Sequence, residues 1–168
     1  FLSADEFAWQ FTEKLVHLPV TGAFLPQEGA PGINDLPALN KGYVTFGSFN
    51  RPSKLSDEII GLWSELLNSV PNSRMLLGAM PNDTEIQRIM RLFDLHGIKQ
   101  ENLCFFHNAQ MLDYLALHHE VDLCLDTLPF AGGTTLNNAL WMGVPTLTIA
   151  GKTPAGRFGA SLLKHVGL

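Results

Sequence analysis

A parallel β-sheet covered by helices on both faces, an α/β domain of the Rossmann-like kind, is the fold class this sequence predicts. Three observations predict it. Strand-like and helix-like segments alternate five times after Gly42. Strand-like runs such as SRMLLGA and NLCFF are apolar without polar alternation, as strands buried on both faces must be. The helical stretches between them supply the crossovers that parallel neighbours require, and those crossovers cover both faces of the sheet.

The elements follow in order. The first 41 residues are irregular, and LPVTGAFLPQEGAPGINDLPALN holds four of the ten prolines, which favours an extended connector over a helix. Residues 1–41 are therefore expected to be a lead-in from an absent N-terminal half, because so long an unstructured approach is unusual for an isolated domain. Residues 42–168 form the domain. YVTFGSF opens it as a strand. Ser56 and Asp57 then cap a helix with Ile59, Leu62, Trp63, Leu66 and Leu67 at helical spacing. SRMLLGA is a strand, and DTEIQRIMRLFDLHG a helix that starts at the Asn82–Thr84 cap cluster and is closed by Gly97. NLCFF, AQMLDYLALHH, VDLCLD, TTLNNALWMG, PTLTIA and AGRFGASLLKHVG continue the alternation of strand and helix.

Composition narrows the function classes. The chain has 168 residues, 46% of them hydrophobic, enough for one core and too few for two comfortable domains. A formal net charge of −5 without a Lys/Arg block argues against nucleic acid or an anionic membrane surface as a partner. No run reaches the ~18 apolar residues of a membrane span. Cys104 and Cys124 lie in apolar runs and read as reduced core thiols, which suits a reducing compartment such as the cytoplasm.

In a parallel sheet ligands gather at the carboxyl ends of the strands, so the loops there are the candidates. The first, GSFNRPSKLSDE, offers Gly47 for close backbone approach, Asn50 and Ser53 as turn formers, and Lys54 just before a helix, where an ammonium either meets an anion or is simply solvated. The fourth, DTLPFAGGTT, places Gly132 and Gly133 before Thr134 and Thr135 at a helix start. Those N–H groups and hydroxyls make a phosphate cradle, although a tight turn with an N-cap would look the same. It has neither the lysine of a Walker A loop nor the GxGxxG spacing. Tyr114 stands on a helix after the third strand, either stacked on a base or half-buried in the core. His118 and His119 are adjacent and point apart, so no metal site is expected. In AGKTPAGRFGAS, Thr153 and Pro154 start a helix whose Gly156 and Gly159 permit close packing or let Arg157 face the cleft.

Taken together and in this order, GYVTFGSFNRPSKL, GGTT, ALWMGVPTLTIAG and TPAGRFGASLLKHVGL resemble the C-terminal catalytic half of the O-linked N-acetylglucosamine transferase family, glycosyltransferase family 41, and most closely its bacterial members that follow tetratricopeptide repeats. The resemblance runs from about Phe11 to Leu168. It implies a GT-B glycosyltransferase whose C-terminal Rossmann-like domain binds the UDP part of a nucleotide sugar, UDP-GlcNAc or another UDP-hexose. By that resemblance Lys54 lies on the diphosphate, Arg51 replaces a glutamine near the sugar and phosphate, Thr134 and Thr135 bind phosphate oxygens, and Tyr114 replaces a histidine against uracil. Gly133 stands where animal enzymes carry a histidine, Met111 where a lysine approaches uracil, and Asn138 where a carboxylate holds the ribose. Asn50, Gly132 and Gly133 complete the expected UDP-sugar contacts.

The resemblance also implies an inverting transfer to a protein hydroxyl without metal or other cofactor. Lys54 and the helix start would stabilise the departing UDP. The acceptor would be recruited through repeats absent from this chain, so the fragment alone is expected to bind UDP weakly and transfer little. Two other readings stay open: a non-catalytic nucleotide-sugar-binding or protein-interaction module, and another GT-B glycosyltransferase.

Overall fold

The computed structural model describes residues 8–16 and 24–168. Five strands form a single parallel sheet: β1 (Thr45–Ser48), β2 (Arg74–Met80), β3 (Leu103–His107), β4 (Leu123–Leu125) and β5 (Thr146–Leu147), in the order β3-β2-β1-β4-β5. The helices are α1 (Pro37–Lys41), α2 (Asp57–Ser69), α3 (Asp83–Leu95), α4 (Met111–Ala116), α5 (Thr134–Trp141) and α6 (Pro154–His165).

Side chains alternate across the sheet, and each face has its own core. Met75, Leu77, Phe46 and Leu125 pack with Ile59, Ile60, Trp63 and Leu67 of α2 and Ile89 and Phe93 of α3. Leu76 and Cys124 point the other way, towards Phe49, Val121, Ala139 and Val144, with Cys104, Tyr114 and Leu117 packed alongside. This two-sided burial is why the strands read as unbroken apolar runs. The predicted inner face of α2 needs one correction. Leu62 is exposed, and Ile60 and Ser64 are buried in its stead. Ser64 can be buried because its hydroxyl donates to the Ile60 carbonyl at 2.7 Å.

The caps follow the sequence reading. Ser56 accepts from the Ile59 amide, Asn82 from Glu85 and Thr153 from Gly156, with Pro154 at the first helical position. Gly97 has φ +78 after α3. Both cysteines are free; Cys124 is buried, its thiol pKa pushed up to about 12 mainly by that burial, whereas Cys104 is only half-buried. No helix among the described residues is long and apolar enough to cross a membrane.

The approach to the sheet is more ordered than an extended connector. Residues 37–41 form the single turn α1, started by Pro37 and closed by Gly42 at φ +72. The buried Asp122 carboxylate accepts the Ala38 amide at 2.8 Å and the Thr45 amide at 2.7 Å, tying that turn to the start of β1. Asn34 donates to the His119 carbonyl at 3.0 Å, and His119 Nε2 meets the Gly32 carbonyl at 2.7 Å. His119 thus faces the lead-in while its neighbour faces the core.

That neighbour, His118, is fully buried. Its Nδ1 lies 3.1 Å from the Leu115 carbonyl, its ring stacks on Phe49 at 4.0 Å, and Nε2 has no partner. Burial lowers its pKa to about 4, with the backbone bonds opposing the shift. The unfolded chain therefore takes up a proton near pH 6.5 that the folded chain refuses until about pH 4. Stability from this source is present above pH 6.5 and falls as the pH drops towards 4, by about 3 kcal/mol in all. Urea unfolding at a series of pH values checks this: the wild type should lose stability across that window more steeply than His118→Leu. Parallel pH profiles would remove His118 as the cause.

Candidate functional site

An open cleft of about 1270 Å³ lies at the carboxyl ends of the strands. It forms where the chain order reverses, with β1 beside β4 although two strands separate them in sequence. The loops after β1 and β4 are therefore brought together, and each supplies one side of the cleft.

From the β1 side comes Lys54, at the end of a 3₁₀ turn over Pro52–Lys54. Arg88 of α3 fastens that turn: its guanidinium donates to the Pro52 carbonyl at 3.0 Å and the Leu55 carbonyl at 3.4 Å, and pairs with Glu85 at 2.9 Å. The Lys54 ammonium donates to the Ala131 carbonyl at 2.9 Å and sits 4.4 Å from the centre of the Phe130 ring. Lys54 thus reaches from the β1 loop to the β4 loop. Partial burial pulls its pKa down, the Asp126 carboxylate pushes it back up, and Arg51 pulls it down again.

From the β4 side comes the start of α5. Gly133 caps the helix without a side-chain hydrogen bond; the Leu136 and Asn137 N–H groups donate to its carbonyl, and the Thr134 and Thr135 N–H groups have no carbonyl of their own helix to meet. Thr135 donates its hydroxyl to Asn50 Oδ1 at 3.3 Å, bridging the two loops beneath the cleft. The helix dipole adds partial positive charge at this end, opposite the Lys54 ammonium. A cation and a free helix N-terminus facing one cavity can hold a multiply charged anion.

The structure brings together most of the residues predicted from sequence. Asn50, Arg51, Lys54, Tyr114, Gly133, Thr134, Thr135 and Asn138 all line the cleft, as does Met111. Gly132 does not. It is buried beneath the wall, its N–H donates to Asp126 at 2.6 Å, and a Cβ there would stand 2.4 Å from Thr135 Oγ1 and 2.6 Å from Leu136. That close packing by itself requires a glycine here. Tyr114 has both characters offered for it: it borders the cleft, while its ring meets Phe49 and His118 edge-on at 5.4 and 5.3 Å. Its hydroxyl is buried without a well-formed hydrogen bond, although Asn138 lies near enough to influence it. Burial pushes the phenol pKa up to about 12.

Two residues were not singled out from sequence. Arg88 left no sign there, because only the fold sets it against the lysine turn. Asp126 did leave one, a carboxylate at the end of an apolar strand before a glycine pair. It is 7% exposed, and accepts the Thr127 amide at 2.8 Å, the Gly132 amide at 2.6 Å and the Thr148 hydroxyl at 2.7 Å. Burial raises its pKa, while those bonds and Lys54 pull it down. A residue in the left-handed region, Ala79 at φ +59, also borders the cleft at an irregularity of β2. Arg157 does not line the cleft. Gly156 and Gly159 serve close packing, as a Cβ at Gly159 would fall 2.5 Å from Thr148 Oγ1 and 2.6 Å from Asp126 Oδ2. Among the described residues no group of three or more His, Cys, Asp or Glu side chains is placed to hold a metal.

The model of glycosyl transferase family 41 matches residues 31–168. The chain is 35% identical over 166 residues to the SPINDLY protein of Solanum lycopersicum and 36% identical over 164 residues to that of Arabidopsis thaliana, each named as a probable UDP-N-acetylglucosamine–peptide N-acetylglucosaminyltransferase. These alignments cover 93% of this chain and 17% to 18% of the relatives, so the chain spans less than a fifth of their length. A solved structure of an O-GlcNAc transferase mutant from Thermobaculum terrenum superposes with a TM-score of 0.79 at 36% identity, over 85% of this chain and 27% of that one.

The packing predicts opposite outcomes for two glycines. Gly159→Ala should cost about 1–3 kcal/mol, because the added methyl meets a carboxylate and a hydroxyl that are both committed. Gly133→Ala should stay within about 0.5 kcal/mol of wild type, since its Cβ would come no closer than 3.7 Å to Phe158. Urea unfolding of the two variants checks both. Equal losses would mean that α6 does not rest on the loop as described.

Proposed function

The chain belongs to glycosyl transferase family 41, and from that premise we propose that its cleft is the donor site of a UDP-sugar-dependent protein O-glycosyltransferase. The observation that carries this is the pairing of Lys54 with the free N-terminus of α5 across one cavity. In this reading the diphosphate lies between them, with the Gly133, Thr134 and Thr135 backbone and the threonine hydroxyls as donors. Asn138 hydrogen-bonds a ribose hydroxyl through its amide, and Tyr114 and Met111 border the base. UDP-GlcNAc is the first donor to test, because the plant relatives carry that sugar in their names.

Transfer then follows from charge. The acceptor hydroxyl attacks the anomeric carbon, the bond to the β-phosphate oxygen breaks, and UDP leaves with growing negative charge. Lys54 and the α5 dipole already point where that charge develops, so they stabilise the transition state more than the ground state. The reaction inverts the anomeric centre in a single displacement. We assign residues 42–168 to donor binding and residues 1–41 to the approach from a preceding half. Acceptor binding belongs to parts of the protein outside this domain, where the relatives have most of their length.

One observation favours a second reading. The ionisable residues lining the cleft are Arg51, Lys54, Glu85, Arg88 and Tyr114, and Glu85 is already paired with Arg88. Among the described residues the cleft therefore has no unpaired carboxylate or imidazole to deprotonate an acceptor. Either that base comes from elsewhere in the protein, or the domain binds nucleotide sugar without transferring it.

Calorimetric titration with UDP, with GDP and ADP beside it, tests the site. Lys54→Ala should weaken UDP binding by about tenfold or more, as the loss of a charge-assisted bond does. No heat with millimolar UDP would sink the donor assignment. UDP binding without transfer in the protein of full length would select the binding-only reading.

A further inference from the structure

Phe130 lines the cleft yet stands 56% exposed, outside both apolar layers that pack on the sheet. An apolar ring left open in a ligand cleft needs a reason other than burial. The Lys54 ammonium sits over that ring, 4.4 Å from its centre. The next residue touches the same cation, for the Ala131 carbonyl accepts from Lys54 at 2.9 Å. Two successive residues of the β4 loop thus hold one ammonium, the first with a ring face and the second with an oxygen.

Both holders are themselves fixed. The Phe130 carbonyl accepts the Thr127 hydroxyl at 2.8 Å, and the Ala131 amide donates to the Ala155 carbonyl of α6 at 3.0 Å. Across the cleft, Arg88 ties down the turn that carries Lys54. The flexible part between these anchors is the lysine stem, which loses rotamer freedom whenever its ammonium is fixed on an anion. Holding the ammonium before a ligand arrives moves that loss into folding. A carboxylate in place of the ring would hold the lysine too, but would cancel its charge. The π face attracts the cation and leaves it positive, and Ala131 engages one of the three N–H groups, so donors remain for an anion.

We propose that Phe130 is a positioning residue of the donor site, whose ring holds the Lys54 ammonium in the cleft, its charge uncancelled, ready for the diphosphate. This rests on the donor-site reading. It gives the exposed aromatic a function that neither core packing nor the phosphate contacts supply.

Titration calorimetry with UDP compares wild type, Phe130→Leu, Phe130→Tyr and a protein with a trifluorinated phenylalanine at position 130, each also in a Lys54→Ala background. Leucine keeps an apolar side chain and removes the π face, whereas fluorination keeps the shape of the ring and drains its π charge. Phe130→Leu should weaken UDP binding about threefold to tenfold, and the fluorinated ring should weaken it in the same direction. Phe130→Tyr should stay within about twofold of wild type. With Lys54→Ala in place, Phe130→Leu should cost less than about twofold, because the partner of the ring is gone. Wild-type affinity in the fluorinated protein means that the ring only fills space, and an equal loss with and without Lys54 means that it acts on the ligand or the loop directly. Either result overturns the proposal.

The same cycle with inorganic pyrophosphate separates this inference from the donor reading on which it rests. No heat with millimolar UDP, but a coupled loss of pyrophosphate binding, refutes the donor site and keeps Phe130 as the holder of the cation. UDP binding without coupling between the two residues does the reverse. No heat with either anion overturns both.

Discussion

A buried carboxylate must be paired, and much of this molecule's upper surface is the consequence. Asp126 directly follows β4 in an apolar layer where an unpartnered charge would cost several kcal/mol. It is satisfied by two backbone amides of its own loop and by a hydroxyl from the end of β5. Satisfying it draws the loop 126–132 into a closed turn, brings the end of β5 alongside, and demands glycine on α6 where the helix crosses. The Lys54 ammonium meets the Ala131 carbonyl of that same loop, which is what holds it across the cleft. One side chain thus couples its own loop to the end of β5, 22 positions further along.

The sheet order decides where that coupling is useful. Parallel strands covered on both faces leave only their ends for ligands, and the helices after β1 and after β4 depart to opposite faces. The gap between those departures is the cleft. A lysine from one loop and a helix N-terminus from the other meet there because β1 and β4 are hydrogen-bonded neighbours. Neither would be distinctive alone: an isolated lysine before a helix is ordinary, and so is a helix start behind two glycines. Their convergence gives an electropositive pocket in a chain whose net charge is −5.

Much of the architecture was legible from local rules. Non-alternating apolar runs, Ser56, Asn82 and Thr153 as caps, Pro154 at a helix start and Gly97 at a helix end all took the places their chemistry favours. The misreadings have physical causes. Leu62 lost its place in the core to Ile60 because a Ser64 hydroxyl returned to its own helix can be buried, and a periodicity count over apolar residues misses a buried serine. Gly132 packs against Thr135 and Leu136 and donates to Asp126, a contact that sequence could not show because a glycine that lets backbone approach a carboxylate reads like any other. Pro37–Lys41 coiled into a turn because Asp122, eighty-odd residues later, accepts one of its amides. Arg88 was invisible for the same reason, its partners being carbonyls 33 and 36 residues away.

The sequence by itself determined the alternation of strands and helices, the two-sided burial of the sheet, and the residue types available at each strand end. These depend on neighbours three or four positions apart, on hydrophobic periodicity and on capping, all of which are written in order along the chain. Only the tertiary structure decided that β1 lies beside β4, that Lys54 spans the cleft to Ala131, and that Asp126 rather than solvent receives the Gly132 amide. Those are contacts between residues up to 77 positions apart. They arise when the sheet assembles and water is expelled, because only then does an unpaired carboxylate or a free amide become costly enough to choose its partner.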